Sequence, residues 1–169
     1  MARATAFPRP GKFEIHSVPI FMLSRGDKVE LVVCKARMVV ETGRPTTSGE
    51  RRQVDVKVLD WVATGKSRLL GGKVEFRMTQ GGRQPRSWVK AGAAGDLPGK
   101  ARFAMRYSVT TPQGTLENLT GAATGAISSF PPKLDVFRID KTLNLGDLVL
   151  GGVACACPGP EDVLISLPG

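Results

Sequence analysis

Apolar and charged residues alternate with a strict period of two along several stretches of this chain. The clearest are Val54-Asp55-Val56-Lys57-Val58, Lys73-Val74-Glu75-Phe76-Arg77-Met78 and Arg102-Phe103-Ala104-Met105-Arg106-Tyr107. Successive side chains of a β-strand project to opposite faces, so each run describes a strip with one buried and one wet surface. On this reading Phe103, Met105 and Tyr107 face a core while Arg102 and Arg106 face water. No long helical period occurs anywhere, so the chain reads as all-β.

Glycine and proline mark where the strands end. Strands are expected at residues 12–23, with Pro19 at a bulge or edge, and at 27–41, joined through Ser24-Arg25-Gly26. A polar loop at 42–52 precedes a strand at 53–62 and a short return strand at 64–70. Gly71-Gly72 introduces 73–80, and Gly81-Gly82-Arg83-Gln84-Pro85 has the composition of a hairpin turn leading into 86–90. Residues 91–99 are the most loop-like interior stretch, followed by a strand at 100–110. The Gly and Ala content of 115–127 suits either a bulged strand or a short irregular helix. Pro131-Pro132 breaks the chain before strands at 134–139 and 147–157.

Many short strands with regular turn signals indicate a sandwich or a barrel. The irregular spacing of the breaks favours a single-domain antiparallel β-sandwich over 12–157, with a β-barrel as the alternative. Pro/Gly-rich arms are expected at 1–11 and 158–169. A chain of 169 residues can bury a substantial core as one domain.

Three segments carry a family resemblance. VDVKVLDWVATGKSRLLGGKVEF, the later KARFAMRYSV and the SSFPP break are similar to a family of uncharacterised small bacterial all-β proteins. The resemblance covers the middle of the chain, implies an all-β fold and implies no function.

Charge narrows the partners. The net charge of +9 divides into +5 over residues 1–52, +7 over 53–110 and −3 over 111–169. A positive field of this kind favours an acidic protein, nucleic acid or an anionic membrane, while charged strand faces kept for solubility give the same excess. No apolar run approaches the roughly 18–20 residues a membrane helix needs. The N-terminus also lacks the apolar segment of a secretory signal, which points to the cytoplasm.

The candidate chemistry is thin. Gly65-Lys66-Ser67 resembles the end of a phosphate loop, but Asp60 stands where the first glycine belongs, and Arg68-Leu69-Leu70-Gly71-Gly72 cannot sustain the helix that would follow. His16, the single histidine, shares a strand face with Glu14 and decorates a sheet surface. Asp55 and Asp60, like Asp135 and Asp140, are five apart, so neither pair converges on a regular strand without a bulge. Cys34, Cys155 and Cys157 are too few for a disulfide framework or a zinc site and read as small buried apolar groups. No catalytic residue, metal ligand or cofactor is assigned, and the balance favours a non-enzyme.

The most suggestive surface is Arg86-Ser87-Trp88-Val89-Lys90. Alternation places Arg86, Trp88 and Lys90 on one face, with Arg77 and Arg83 close by if a hairpin forms. These five residues make a candidate binding strip. The reading that follows is a self-associating protein, or one that docks an acidic partner through this strip and its arms. The alternatives are a nucleic-acid-binding coat or packaging protein, and a barrel that binds a small molecule or acts as a shape-driven cyclase or isomerase.

Overall fold

The period-two runs are strands. The computed structural model describes residues 6–49, 51–133, 135–139, 143–145 and 148–157. Its strands are β1 (Gly11–Arg25), β2 (Lys28–Val33), β3 (Lys35–Thr42), β4 (Thr46–Ser48), β5 (Arg51–Ser67), β6 (Gly72–Met78), β7 (Ser87–Gly92), β8 (Gly95–Thr111), β9 (Gly114–Ile127), β10 (Val136–Ile139), β11 (Leu143–Leu145) and β12 (Leu148–Cys157).

Several short strands are pieces of longer staves. β2 and β3 pair with β1 in one register, Ile20 opposite Val33 and Ser17 opposite Ala36. The break falls at Pro19, which has no N–H to donate. Its carbonyl still accepts the Cys34 N–H at 2.8 Å. β6 and β7 share one lane between β5 and β8, and β10 and β11 both pair with β12. Eight antiparallel staves result, each bonded to the next in chain order, with short β4 paired to the start of β5. The last then meets the first, β12 pairing with β1 from His16–Cys157 to Arg25–Leu148.

The antiparallel all-β expectation holds, and the ring of pairings is that of the barrel alternative. A closed ring satisfies its backbone groups without leaving long free edges.

Three local readings change, and a fourth is decided between its two alternatives. The stretch 81–85 is not a hairpin turn, because β6 and β7 run in the same direction, end to end, against β5. The Gln84 side chain bridges the interruption: its amide donates to the Thr79 carbonyl at 2.7 Å, and its oxygen accepts the Arg106 N–H at 2.9 Å. β5 runs unbroken through 62–67 where a turn and return strand were expected, and much of 91–99 is strand. Residues 115–127 are strand, with Asn118 at φ 60° where the β8–β9 register shifts.

Alternation sorts the side chains as the sequence implies, with one exception. A bulge at Leu59 reverses the parity of β5, so Val54, Val56 and Val58 point inward before it, and Ala63 and Ser67 after it. At the end of the barrel where β5 begins, the interior is filled. Val40, Val54, Val89 and Ala101 are 0% exposed there, and Leu97 and Ile127 are 1% exposed. Each aliphatic side chain enclosed in this way stabilises the fold by roughly 1.5–3 kcal/mol.

Phe7 joins this cluster, its N–H donating to Asp96 Oδ2 at 3.1 Å, and Arg52 lies over its ring. Of the expected arms, residues 1–5 and 158–169 lie outside the described residues.

Candidate functional site

Toward the middle of the barrel the interior stops being filled. A chamber opens there, giving the centre of a water molecule about 100 Å³ in which to move. A single water needs roughly 10–15 Å³ on that measure, so the space is several waters large. Its walls are the inward residues of β1, β3, β5, β6, β8, β9 and β10. Eight-stranded barrels are wide enough either to fill with side chains or to hold one small ligand, and residue size decides which.

Residue size differs sharply around the wall. Rings project from β1, β5, β6, β8 and β10. Phe21 and Phe76 stack with centroids 4.3 Å apart, and Trp61 meets Tyr107 edge-on at 5.8 Å. Phe103 and Phe137 form a further pair at 5.7 Å. Between β8 and β10, which carry Phe103, Tyr107 and Phe137, β9 offers only Gly121, Ala122 and Ala123. A Cβ at Gly121 would come within 3.0 Å of the Tyr107 ring, so glycine there leaves the phenol its place. Gly125 serves another purpose: a Cβ would meet the Val136 carbonyl at 2.5 Å, closer than real Cβ atoms approach. β9 is also the least completely paired stave, meeting β8 at twelve positions but β10 only at Ala123 and Thr124 among the described residues.

The chamber is almost without polarity. No Asp, Glu, Lys, Arg or His is among its described lining residues. The polar side-chain groups among its described lining residues are the Tyr107 hydroxyl, the Trp61 indole N–H and the Ser17 hydroxyl, and no described residue hydrogen-bonds to any of the three. Burial pushes the Tyr107 phenol up to about 12, so it stays protonated as a donor and acceptor at neutral pH. Burial also holds the Cys34 thiol at about 12, which makes it unreactive.

The strip expected from the sequence lies on the outer wall. Arg86, Trp88 and Lys90 do share a face there: Lys90 Nζ sits 4.2 Å from the Trp88 ring centroid, and Arg86 Nη2 is 3.1 Å from Asp55 Oδ1. Trp88 is half-buried and outside the core, in a cross-strand row running Asp55, Trp88, Arg102, Thr124, Arg138. Arg77 is further along, on β6, its Nε donating to Glu75 Oε1 at 2.8 Å. Arg83 is exposed in the 79–86 segment. With no hairpin to join them, neither has a described contact with the Trp88 group.

Other candidates resolve simply. His16 is on the outer wall, Nε2 2.9 Å from Glu14 Oε1, and Glu14 also accepts from Arg37 at 2.6 Å. Ser67 donates to Glu30 at 2.6 Å instead of opening a phosphate loop. The Leu59 bulge puts Asp55 and Asp60 on one face after all, yet they bind different partners, Arg86 and Arg37. Asp140 lies outside the described residues, and of Cys155 and Cys157 only the backbone positions opposite Val18 and His16 are described. Among the described residues no group of three or more His, Cys, Asp or Glu could hold a metal, and no helix is long and apolar enough to cross a membrane.

Comparison with known proteins adds a fold. No family model matches the chain, and no curated protein does. The chain is similar to a solved structure, that of DynF from the dynemicin biosynthesis pathway of Micromonospora chersina. The TM-score is 0.67 at 16% identity, over 92% of this chain and 84% of that one. At that identity the likeness is one of fold.

Proposed function

We propose that this protein binds a small apolar molecule inside the barrel. The observation that carries this reading is the chamber itself: a half-open apolar space walled largely by rings, to which the glycine and alanine of β9 leave room. Folding does not need such a gap, since one more pair of aliphatic side chains would fill it and add stability. An apolar pocket with a few polar atoms aimed into it is the usual form of a small-molecule site. The fold shared with a protein of a biosynthetic pathway accords with this reading. If the protein also transforms its ligand, it does so by holding it in a reactive shape, as a cyclase or isomerase can, since the described lining residues carry no ionised group.

The test is ligand-dependent stability. A panel of apolar compounds, screened by thermal unfolding, contains members that raise the midpoint, and Ala123→Leu abolishes the rise without lowering the unliganded midpoint. A panel without effect, or one acting equally on Ala123→Leu, overturns the reading.

A second reading concerns the outer wall, where Lys90 over Trp88 and the row through Arg102 and Arg138 make a basic face. It suits an acidic protein docking on the ring, with the cations steering the encounter. Binding would weaken as salt rises, and Trp88→Ala would weaken it at every salt concentration. An affinity indifferent to both removes this reading.

A further inference from the structure

The character of the chamber wall restricts what can enter. We infer that the ligand is uncharged and ring-bearing, and that it is oriented by a hydrogen bond between one of its oxygens and the Tyr107 hydroxyl. This rests on the proposal that the chamber is a ligand site.

Three observations support it. First, the described lining contains no cation and no anion. An ionised group taken into such surroundings loses its hydration without gaining a partner, a cost of several kcal/mol that binding would have to overcome. Carboxylates, sulfonates and protonated alkylamines are therefore excluded from the interior even on an otherwise apolar skeleton.

Second, the rings on the wall are not one isolated pair. Phe76 touches Phe21, Trp61 and Tyr107, with centroids 4.3, 6.0 and 6.3 Å away. A planar ligand lying between this cluster and the small residues of β9 gains offset or edge contacts that a flexible alkyl chain does not. Gly121 and Ala123 supply the flat side of such a slot.

Third, Tyr107 is placed to read the ligand. Its hydroxyl has no described hydrogen-bond partner, although the residue is only 8% exposed and lines the chamber. With no described partner to compete, it can donate to a ligand oxygen in that space in place of water. Trp61 and Ser17 offer further groups to the same space, but Tyr107 stands closest to the glycine that opens it, the Gly121 Cβ position lying 3.7 Å from its hydroxyl.

Three naphthalene probes separate these statements. N-phenylnaphthylamine is uncharged, anilinonaphthalenesulfonate is nearly the same skeleton with a sulfonate, and Prodan is uncharged with a ketone oxygen. Each is titrated against the full chain and read by its own emission, and only signal lost in Ala123→Leu, or displaced by unlabelled N-phenylnaphthylamine if that variant does not fold, counts as chamber binding.

The expected result is saturable binding of the two uncharged probes, with the sulfonate weaker by at least roughly 100-fold. Tyr107→Phe weakens Prodan by about 2- to 12-fold and leaves N-phenylnaphthylamine unchanged. Equal binding of the sulfonate overturns the exclusion of charge while the chamber remains a site. Prodan binding indifferent to Tyr107→Phe overturns the role of the hydroxyl. Displacement of both probes by hexadecanol more readily than by naphthalene overturns the preference for rings. If no probe binds in the chamber and the apolar panel also fails, the proposed site falls, and this inference falls with it.

Discussion

The two halves of the barrel interior are made from the same strands and solve opposite problems. Where β5 begins, Val54, Val89 and Ala101 meet Leu97 and Ile127 with no space left, and the ring behaves as an ordinary core. A few residues along the same staves, Trp61, Phe76 and Tyr107 stand around a gap. Large rings and very small β9 residues border the void, and mid-sized aliphatics fill the solid end. Ring residues span a distance and stop, held apart by their rigidity, while branched aliphatics interdigitate. Close packing is concentrated in one half and open space in the other.

The contrast can be tested by making one change in both halves. Ile127→Ala, at the filled end, is expected to cost about 3–5 kcal/mol because it opens a new cavity among packed neighbours. Ile15→Ala, on the chamber wall, removes a side chain that already borders empty space and should cost about 1–2 kcal/mol. Urea midpoints of the two variants measure the difference, and equal losses would mean that the chamber is packed in solution.

Alkali supplies the next largest effect. The folded protein holds the Tyr107 proton more tightly than the unfolded chain does, its phenol standing at about 12 against 10.0. Its contribution is therefore complete below the unfolded value and is lost as pH rises through the folded one. The loss amounts to roughly 2–3 kcal/mol. Tyr107→Phe should lack this component, so its stability relative to the parent rises across that window. Parallel curves would place the hydroxyl in water.

The smallest effect is the most diagnostic. Ala101→Leu should destabilise by about 1–3 kcal/mol through overpacking. Ala123→Leu, the same substitution over the gap, should change stability by less than about 0.5 kcal/mol. A large penalty at Ala123 would erase the distinction between the halves.

Much of the fold was legible in the sequence because alternation is a local signal. The inward set Phe103, Met105, Tyr107 and the outward set Arg102, Arg106 are as the pattern implies, and so is the shared face of Arg86, Trp88 and Lys90. The Leu59 bulge was not legible, since one extra residue in a ladder leaves no mark in composition, and it alone decides on which side Trp61 and Asp60 fall. Nor was the lane shared by β6 and β7. Gly81, Gly82 and Pro85 look the same whether a chain turns back or steps outward and resumes, and only pairing with β5 separates the two. The chamber was hidden for a deeper reason. It consists of atoms that are missing, where β9 glycine and alanine happen to stand across from β1, β5 and β6, and no window of sequence contains both sides.

The ring is sealed by its most distant parts, β1 waiting for β12. During synthesis the opening stave leaves the ribosome long before its eventual neighbour is made, so one flank of it stays without a partner through most of translation. Contacts of such long sequence separation form slowly, and an unsatisfied strand flank invites pairing with other nascent chains. A pulse-labelled nascent chain halted before residue 148 should accordingly resist collapse into a protease-stable form, and one released after residue 157 should reach it in a single late step.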